Sequence, residues 1–306
     1  MVTTPETSAA PSTRRGRLPF AMAMGGGGAF GIAFHLGVTR ALIDAGAPVH
    51  EGPMIGISAG AYAAAALATG VGLDEIARAW AHADRTKERG LVRAAKITEQ
   101  IFGEARDARV TGVGTAGLLP VRVRVGGARH PLSDVVAAAS SPVGLAHPHV
   151  IDGRPLYDAG MYFNTAADLA PAADVLLVLA PLARRVPGWQ GPMWETRLRC
   201  EVGGWRLRHG GQVVVVRPAP EVRAAGGRSL REYMSMRRAP ATYRAAYEQG
   251  QQLAPEVLRV LGRARATRAR AAGTRDTRAY RGFRAARTRD TRAYRGAGPW
   301  WGSSPC

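Results

Sequence analysis

The chain of 306 residues is short of cysteine, lysine and long apolar runs, and each shortage excludes a class of protein. Cys200 and Cys306 stand alone, far apart and without C-x-x-C spacing, so neither a disulfide framework nor a cysteine-based zinc site is supported. That usage fits a reducing compartment or one indifferent to thiols. No stretch approaches the ~18 apolar residues that span a bilayer, so any membrane would be met from its surface. Lysine occurs only at Lys87 and Lys96 among 42 basic residues, so the positive charge is arginine. Against 23 acidic residues it leaves a net charge of +19 and a pI near 11.3. Such a ratio, beside abundant Ala and Gly, is as compatible with GC-rich coding as with selection for anion binding. Charge alone establishes only nonspecific attraction to nucleic acid or acidic lipid. The hydrophobic share of 46% is enough to bury a core and excludes disorder for most of the chain.

Three segments follow from local composition. Residues 1–19, rich in Thr, Ser, Pro and Arg, read as a disordered leader. Arg14-Arg15 before LPFAMAM has the look of a twin-arginine export signal, but the apolar stretch runs into GGGG with no small-residue cleavage site. A cytoplasmic or membrane-peripheral location is the expectation, with export the minor alternative. Residues 20–260 alternate short apolar runs with Ala-rich helical stretches. LPFAMAM, PMIGI, VRVRV, VLLVLAP and QVVVVRP read as strands, and 30–45, 59–69, 73–83, 132–140 and 237–260 as helices. Strands interleaved with helices predict an α/β fold with a mostly parallel sheet. Tyr243 and Tyr247, at helical spacing in the last of these helices, read as core packing.

Residues 261–306 form the third segment, with twelve Arg and two Asp, about half the net charge; +9 stays on the rest. TRDTRAYRG at 274–282 recurs unaltered at 288–296, a unit too short and polar for a solenoid. A duplicated, disordered extension is the expectation. Its interleaved Tyr280, Phe283 and Tyr294 would let it grip nucleic acid or anionic lipid headgroups.

The chemistry gathers at two glycine-rich junctions. Gly25-Gly26-Gly27-Gly28-Ala29-Phe30-Gly31 lies between the first strand and the first helix, where backbone N–H groups at a helix N-terminus make an anion site. It contains G-x-G-x-x-G (Gly26, Gly28, Gly31), but Asp44 and Glu51 are only loosely placed to hold a dinucleotide's ribose. Dinucleotide binding and oxyanion stabilisation both stay open there. The second junction is Gly56-Ile57-Ser58-Ala59-Gly60, a G-x-S-x-G in the strand–turn–helix context of a nucleophile elbow. Small residues at 56 and 60 allow a turn tight enough to project the Ser58 hydroxyl, with a helix N-terminus behind it. Serine needs a base. His147 and His149 lie in a Pro-rich loop and His209 beside two glycines, without the setting of a triad histidine. Asp158, in Leu156-Tyr157-Asp158-Ala159-Gly160-Met161, is the better candidate, against a plain surface turn as the simpler reading.

GGGGAFG, GISAG and DAG in this order resemble the patatin-like phospholipases over roughly residues 20–260. The helix Gly31–Gly46, AAASSP at 137–142 and the segment from Asn164 to VLLVLAPLA extend the likeness. The resemblance implies a three-layer α/β/α sandwich and a lipid acyl hydrolase with no metal or cofactor. Ser58 would be its nucleophile, Asp158 the general base, and the amides of Gly26, Gly27 and Gly28 the oxyanion hole, with Gly31, Gly56, Gly60 and Gly160 as motif positions. The implied partner is a lipid or membrane-surface substrate. The chain departs from the family at Phe30, where a basic residue is usual, at Ala159, where glycine is usual, and at Tyr162, where many members are basic. Two alternatives therefore stand beside it: a non-catalytic member binding anionic membrane or nucleic acid through its tail, and an esterase with a histidine base.

Overall fold

A computed structural model of the protein describes residues 17–82, 87–117, 120–183 and 191–290. Met1–Leu261 is one compact unit and Gly262–Cys306 a second. In the first unit the chain runs β1 (Leu18–Met24), α1 (Gly28–Asp44), β2 (Met54–Gly56), α2 (Ala59–Thr69), α3 (Leu73–Ala81) and α4 (Ala94–Phe102). It continues through β3 (Val110–Ala116), β4 (Arg122–Gly126), α5 (Leu132–Ala139), β5 (His149–Ile151), β6 (Arg154–Asp158) and β7 (Ala173–Leu179). It ends with α6 (Gly191–His209), β8 (Gln212–Val216), α7 (Pro220–Gly226), α8 (Leu230–Tyr233) and the start of α9 (Ala239–Asp290). The fold class is α/β.

The strands described form one mixed sheet in the order β5-β6-β3-β2-β1-β7-β8, with β4 also paired to β3. β3, β2, β1, β7 and β8 run parallel, while β4, β5 and β6 add antiparallel pairs. The parallel strands read in sequence as unbroken apolar runs because both faces are covered: every residue of β1 from Phe20 is buried. Ala21 and Ala23 share a core cluster with Leu198, Val202 and Trp205 of α6. On the opposite face Met24 meets α2, where a Cβ on Gly60 would fall 2.7 Å from the Met24 Cβ. α1 is buried over most of its circumference, from Ala29 to Leu42, as expected of a helix apolar on all sides. α9 crosses it at glycines, since a Cβ on Gly37 would meet the Tyr243 carbonyl at 2.5 Å.

The expected strands and helices appear as β1, β2, β4, β7, β8, α1, α2, α3, α5 and the start of α9. β3 was hidden by Gly112 and Gly114, which are glycines because α5 lies against them; Cβ atoms there would meet the carbonyls of Val135 and Ala138 at 2.6 and 2.5 Å. Two expectations need correcting. β1 begins at Leu18, inside the segment taken as leader, while residues 1–16 with Arg14-Arg15 lie outside the described residues. The extension from 261, expected to lack structure, is helical to Asp290, across the first TRDTRAYRG and into the second. Its Ala and Arg are among the strongest helix formers, and no proline follows Pro255 until Pro299. The remainder, with Tyr294, lies outside the described residues. Among those described, no helix is long and apolar enough to cross a membrane.

Candidate active site

Register brings together two residues a hundred positions apart in sequence. Gly56, the last residue of β2, pairs with Gly112 of β3, so Ser58 two residues on stands level with Gly114. Gly114 is paired in turn with Asp158, the last residue of β6. β3 thus holds β2 along its first half and β6 along its last, and the ends of both meet at the carboxyl edge of the parallel strands, where open α/β sheets bind ligands. The turn after α5 fixes both: Ser58 N–H donates to the Ala139 carbonyl and Asp158 N–H to the Ser141 carbonyl, each at 2.9 Å.

Ser58 adopts φ 52° and ψ −118°, a strained conformation for a residue with a side chain and the mark of a nucleophile elbow. Its flanking glycines are obligatory. A Cβ on Gly56 would stand 2.4 Å from the Ala61 nitrogen, and one on Gly60 2.1 Å from the Met24 carbonyl oxygen. Ser58 is also the N-cap of α2, at the helix end that favours negative charge.

The Asp158 carboxyl is buried, with 6% of its surface exposed. It accepts hydrogen bonds from the Ser58 hydroxyl and, at 2.7 Å, from the Gly160 amide. Burial pushes its pKa from 3.8 to about 6, and the two hydrogen bonds hold it from rising further. Gly160 is glycine for a local reason: its Cβ would fall 2.9 Å from the Asp158 Oδ1. Ala159 tolerates its methyl because that position is buried in the α6-side core cluster.

The glycine loop faces the serine, with the Cβ position of Gly26 3.6 Å from that of Ser58. Gly31 lets α1 come this close, since a Cβ there would meet the Ala59 Cβ at 2.8 Å. Of the three expected donors, Gly26 has its N–H engaged with the Asn164 carbonyl at 3.2 Å. Gly27 (φ 149°) and Gly28 (φ 56°) are the N-cap and first residue of α1, where a helix leaves its amides without intrahelical acceptors. The free donors are therefore at 27 and 28.

Residues not singled out in the sequence hold this loop in place. His35, fully buried two turns into α1, donates from Nε2 to the Gly25 carbonyl at 2.8 Å. Burial pulls its pKa down to about 4, so it is neutral at neutral pH and keeps the tautomer that this bond needs. Glu201 of α6 accepts from the amides of Asn164 and Thr165, each at 2.8 Å, and from the Thr165 hydroxyl at 2.6 Å. It thereby fixes the strand of chain whose carbonyl holds Gly26. The signal for both was a lone ionisable residue within a buried helical stripe, which reads as polar only because its backbone partners are distant in sequence.

Phe30 fills its position without leaving a gap. Its ring is 2% exposed, lies 4.3 Å from the Tyr233 ring and fits against Gly226, whose Cβ would clash with it at 2.3 Å. This packing draws the segment after α7 over the loop, so that Met234 lies against Gly28. Ser58 opens into a cavity of about 390 Å³ lined mainly by apolar side chains, among them Ile32, Tyr62, Trp80, Ile97, Leu145 and Met234. Its size and character suit an acyl chain.

The competing candidates are occupied elsewhere. His149 bonds Asp134 at 2.9 Å, His147 the Glu88 carbonyl at 2.8 Å, and His209 packs edge-on against Trp205. Asp44 pairs with Arg40 and accepts from the Tyr247 hydroxyl, and the turn that follows β2 presents Ser58 where a dinucleotide site would want an acid. Among the described residues, no group of three or more His, Cys, Asp or Glu is placed to hold a metal. No protein-family model matches the chain, and a comparison with curated proteins finds no matching sequence.

Proposed function

We propose that the protein is a serine carboxylic-ester hydrolase of the patatin-like kind, cleaving acyl esters of phospholipids or related lipids through a Ser58–Asp158 dyad. The reading rests on one observation: a strained serine hydrogen-bonded to a buried carboxylate at the mouth of an apolar cavity. The three-layer α/β/α sandwich of that family is the finer form of the fold it implies.

Ser58 Oγ attacks the ester carbonyl carbon while Asp158 takes the hydroxyl proton. The carbonyl oxygen becomes an oxyanion, received by the amides of Gly27 and Gly28 at the positive end of α1. A well-placed donor of this type lowers the barrier by about 3–4 kcal/mol. Collapse expels the alcohol, which leaves with the proton held by Asp158, and the acyl group stays on Ser58. Water, deprotonated by Asp158, then attacks the acyl-enzyme, and the carboxylic acid departs as Oγ regains its proton. A carboxylate is a weak base for this work, and a pKa near 6 narrows the mismatch while leaving most of the base ionised at neutral pH. A lipid or membrane-surface substrate suits the apolar cavity and the net charge of +19, at a cytoplasmic or membrane-peripheral location.

Hydrolysis of fluorogenic esters of graded chain length tests the proposal. Wild type should turn over, with Ser58→Ala at background; equal turnover by the two would overturn it. Loss of activity on replacing His147, His149 or His209, with Asp158→Asn still active, would instead favour a histidine base.

A further inference from the structure

A second cavity, of about 560 Å³, shares no lining residue with the one at Ser58. It lies between β4, the segment 168–171 and the end of α6. Arg122 and Arg124 are two apart on β4 and pair with Thr115 and Val113, so they occupy one face of the sheet. Arg208 and His209 reach the same cavity from the last turn of α6. Asp168 is its single carboxylate, so three guanidinium groups face one negative charge.

Asp168 organises rather than cancels this charge. Both of its oxygens accept from Arg122, each at 2.6 Å, and Arg208 donates to its backbone carbonyl with the carboxylate 3.7 Å away. The Arg122 guanidinium also lies 4.5 Å over the Phe163 ring. Held on two sides, Arg122 is ordered before any ligand arrives, which removes part of the entropy cost of binding. Each guanidinium has five donors, so Arg122 keeps three beyond the two given to Asp168. Arg124 has no acceptor or ion-pair partner among the described residues. The surroundings are positive: burial and then the charges of Arg208 and Arg17 hold the pKa of His209 below its ordinary value.

We propose that this cavity binds a phosphate monoester, with Arg122, Arg124 and Arg208 on the phosphate oxygens. The fork of arginine matches phosphate geometry, and a dianion balances the excess of two positive charges. The volume exceeds what a bare phosphate fills, and Leu169, Ala170 and Pro171 offer an apolar wall to the organic remainder. Charge on β4 also serves to block pairing at a sheet edge. That duty does not explain why two residues of α6 converge on the same point.

Isothermal titration calorimetry on the full chain tests this with three probes: inorganic phosphate, glycerol 3-phosphate, and phosphatidylcholine vesicles carrying phosphatidic acid. Saturable binding of a soluble probe, weakened tenfold or more in Arg124→Gln and in Arg208→Gln, is expected and identifies a soluble phosphate. The same loss seen only with vesicles assigns the phosphate to a lipid headgroup. The basic extension is identical in every variant, so its own binding cancels in the comparison, and Arg259→Gln on α9 controls for bulk charge. Absence of binding, binding unchanged in both cavity variants, or an equal loss in Arg259→Gln would overturn the proposal.

Discussion

Asp158→Asn is expected to abolish hydrolysis and, at neutral pH, to make the fold more stable. In the folded chain the carboxyl is buried and its pKa rises from 3.8 to about 6, so the ionised form is disfavoured relative to the unfolded state. A shift of this size corresponds to a penalty of about 3 kcal/mol. The folded state binds the proton more tightly than the unfolded one. The penalty is therefore absent below pH 3.8, grows between there and pH 6, and is complete above it. Asparagine carries no charge, and its Oδ1 can still accept from Gly160 and Ser58. Hydrogen bonds to a neutral acceptor are weaker, which reduces the net gain to about 1–3 kcal/mol. Urea unfolding of both proteins at about pH 7.5 and about pH 4 reads the effect, with the difference largest at the higher pH. In wild type the same ionisation sets the acid limb of activity: kcat/KM should fall tenfold per pH unit below about 6, as protonated Asp158 ceases to be a base. A variant less stable than wild type at both pH values, or an acid limb near 4, would refute this account of the buried carboxylate.

Two further substitutions probe how the site is built. Gly60→Ala places a Cβ 2.1 Å from the Met24 carbonyl, so the ends of β1 and α2 must separate; a loss of about 2–4 kcal/mol is expected by thermal or chemical unfolding, and unchanged stability would show that the elbow is looser than described. Phe30→Arg introduces the basic residue usual in the patatin-like loop that this sequence resembles, but into a site only 2% exposed and walled by Tyr233 and Gly226. Burying an unpaired charge and losing the ring should destabilise by about 3 kcal/mol or more, read as a fall in Tm, and an unchanged Tm would show that the segment after α7 is free to leave the loop.

The parts legible in the sequence were those whose cause is local. Continuous apolar runs marked β1, β7 and β8 because parallel strands are covered on both faces, and glycines at 56 and 60 marked the elbow because a Cβ at either would strike the backbone. The register that brings Ser58 to Asp158 was not legible, since it depends on β3, whose glycines answer to α5 rather than to its own strand. His35 and Glu201 were missed for a related reason. Each is a polar residue on the buried side of its helix, and its meaning lies in a carbonyl or amide of another segment. The α6 stripe of Trp194, Leu198, Val202 and Trp205 has helical spacing and could have been read. The helix from 261 to 290 could also have been anticipated, because high charge argued for disorder while alanine and arginine favoured helix, and propensity prevailed.

The departures from the patatin-like pattern that the sequence resembles bear on whether the proposed dyad can work, and their packing separates appearance from effect. Ala159 places its methyl in the core that Trp205 closes, and the carboxyl of Asp158 keeps both of its hydrogen bonds. Phe30 makes an aromatic contact with Tyr233, and the segment so held brings Met234 against Gly28, one of the two glycines with a free amide. Phe30 thus acts on the side of the site where the Gly28 amide lies, by covering it, and not on Ser58 or Asp158. In the proposed dyad the serine at φ 52° and the aspartate burdened by burial are each less stable than an ordinary residue in that place. The strain of Ser58 and the desolvation of Asp158 thus fall on two residues that meet in that proposed dyad, the pattern expected where stability is given up for reactivity.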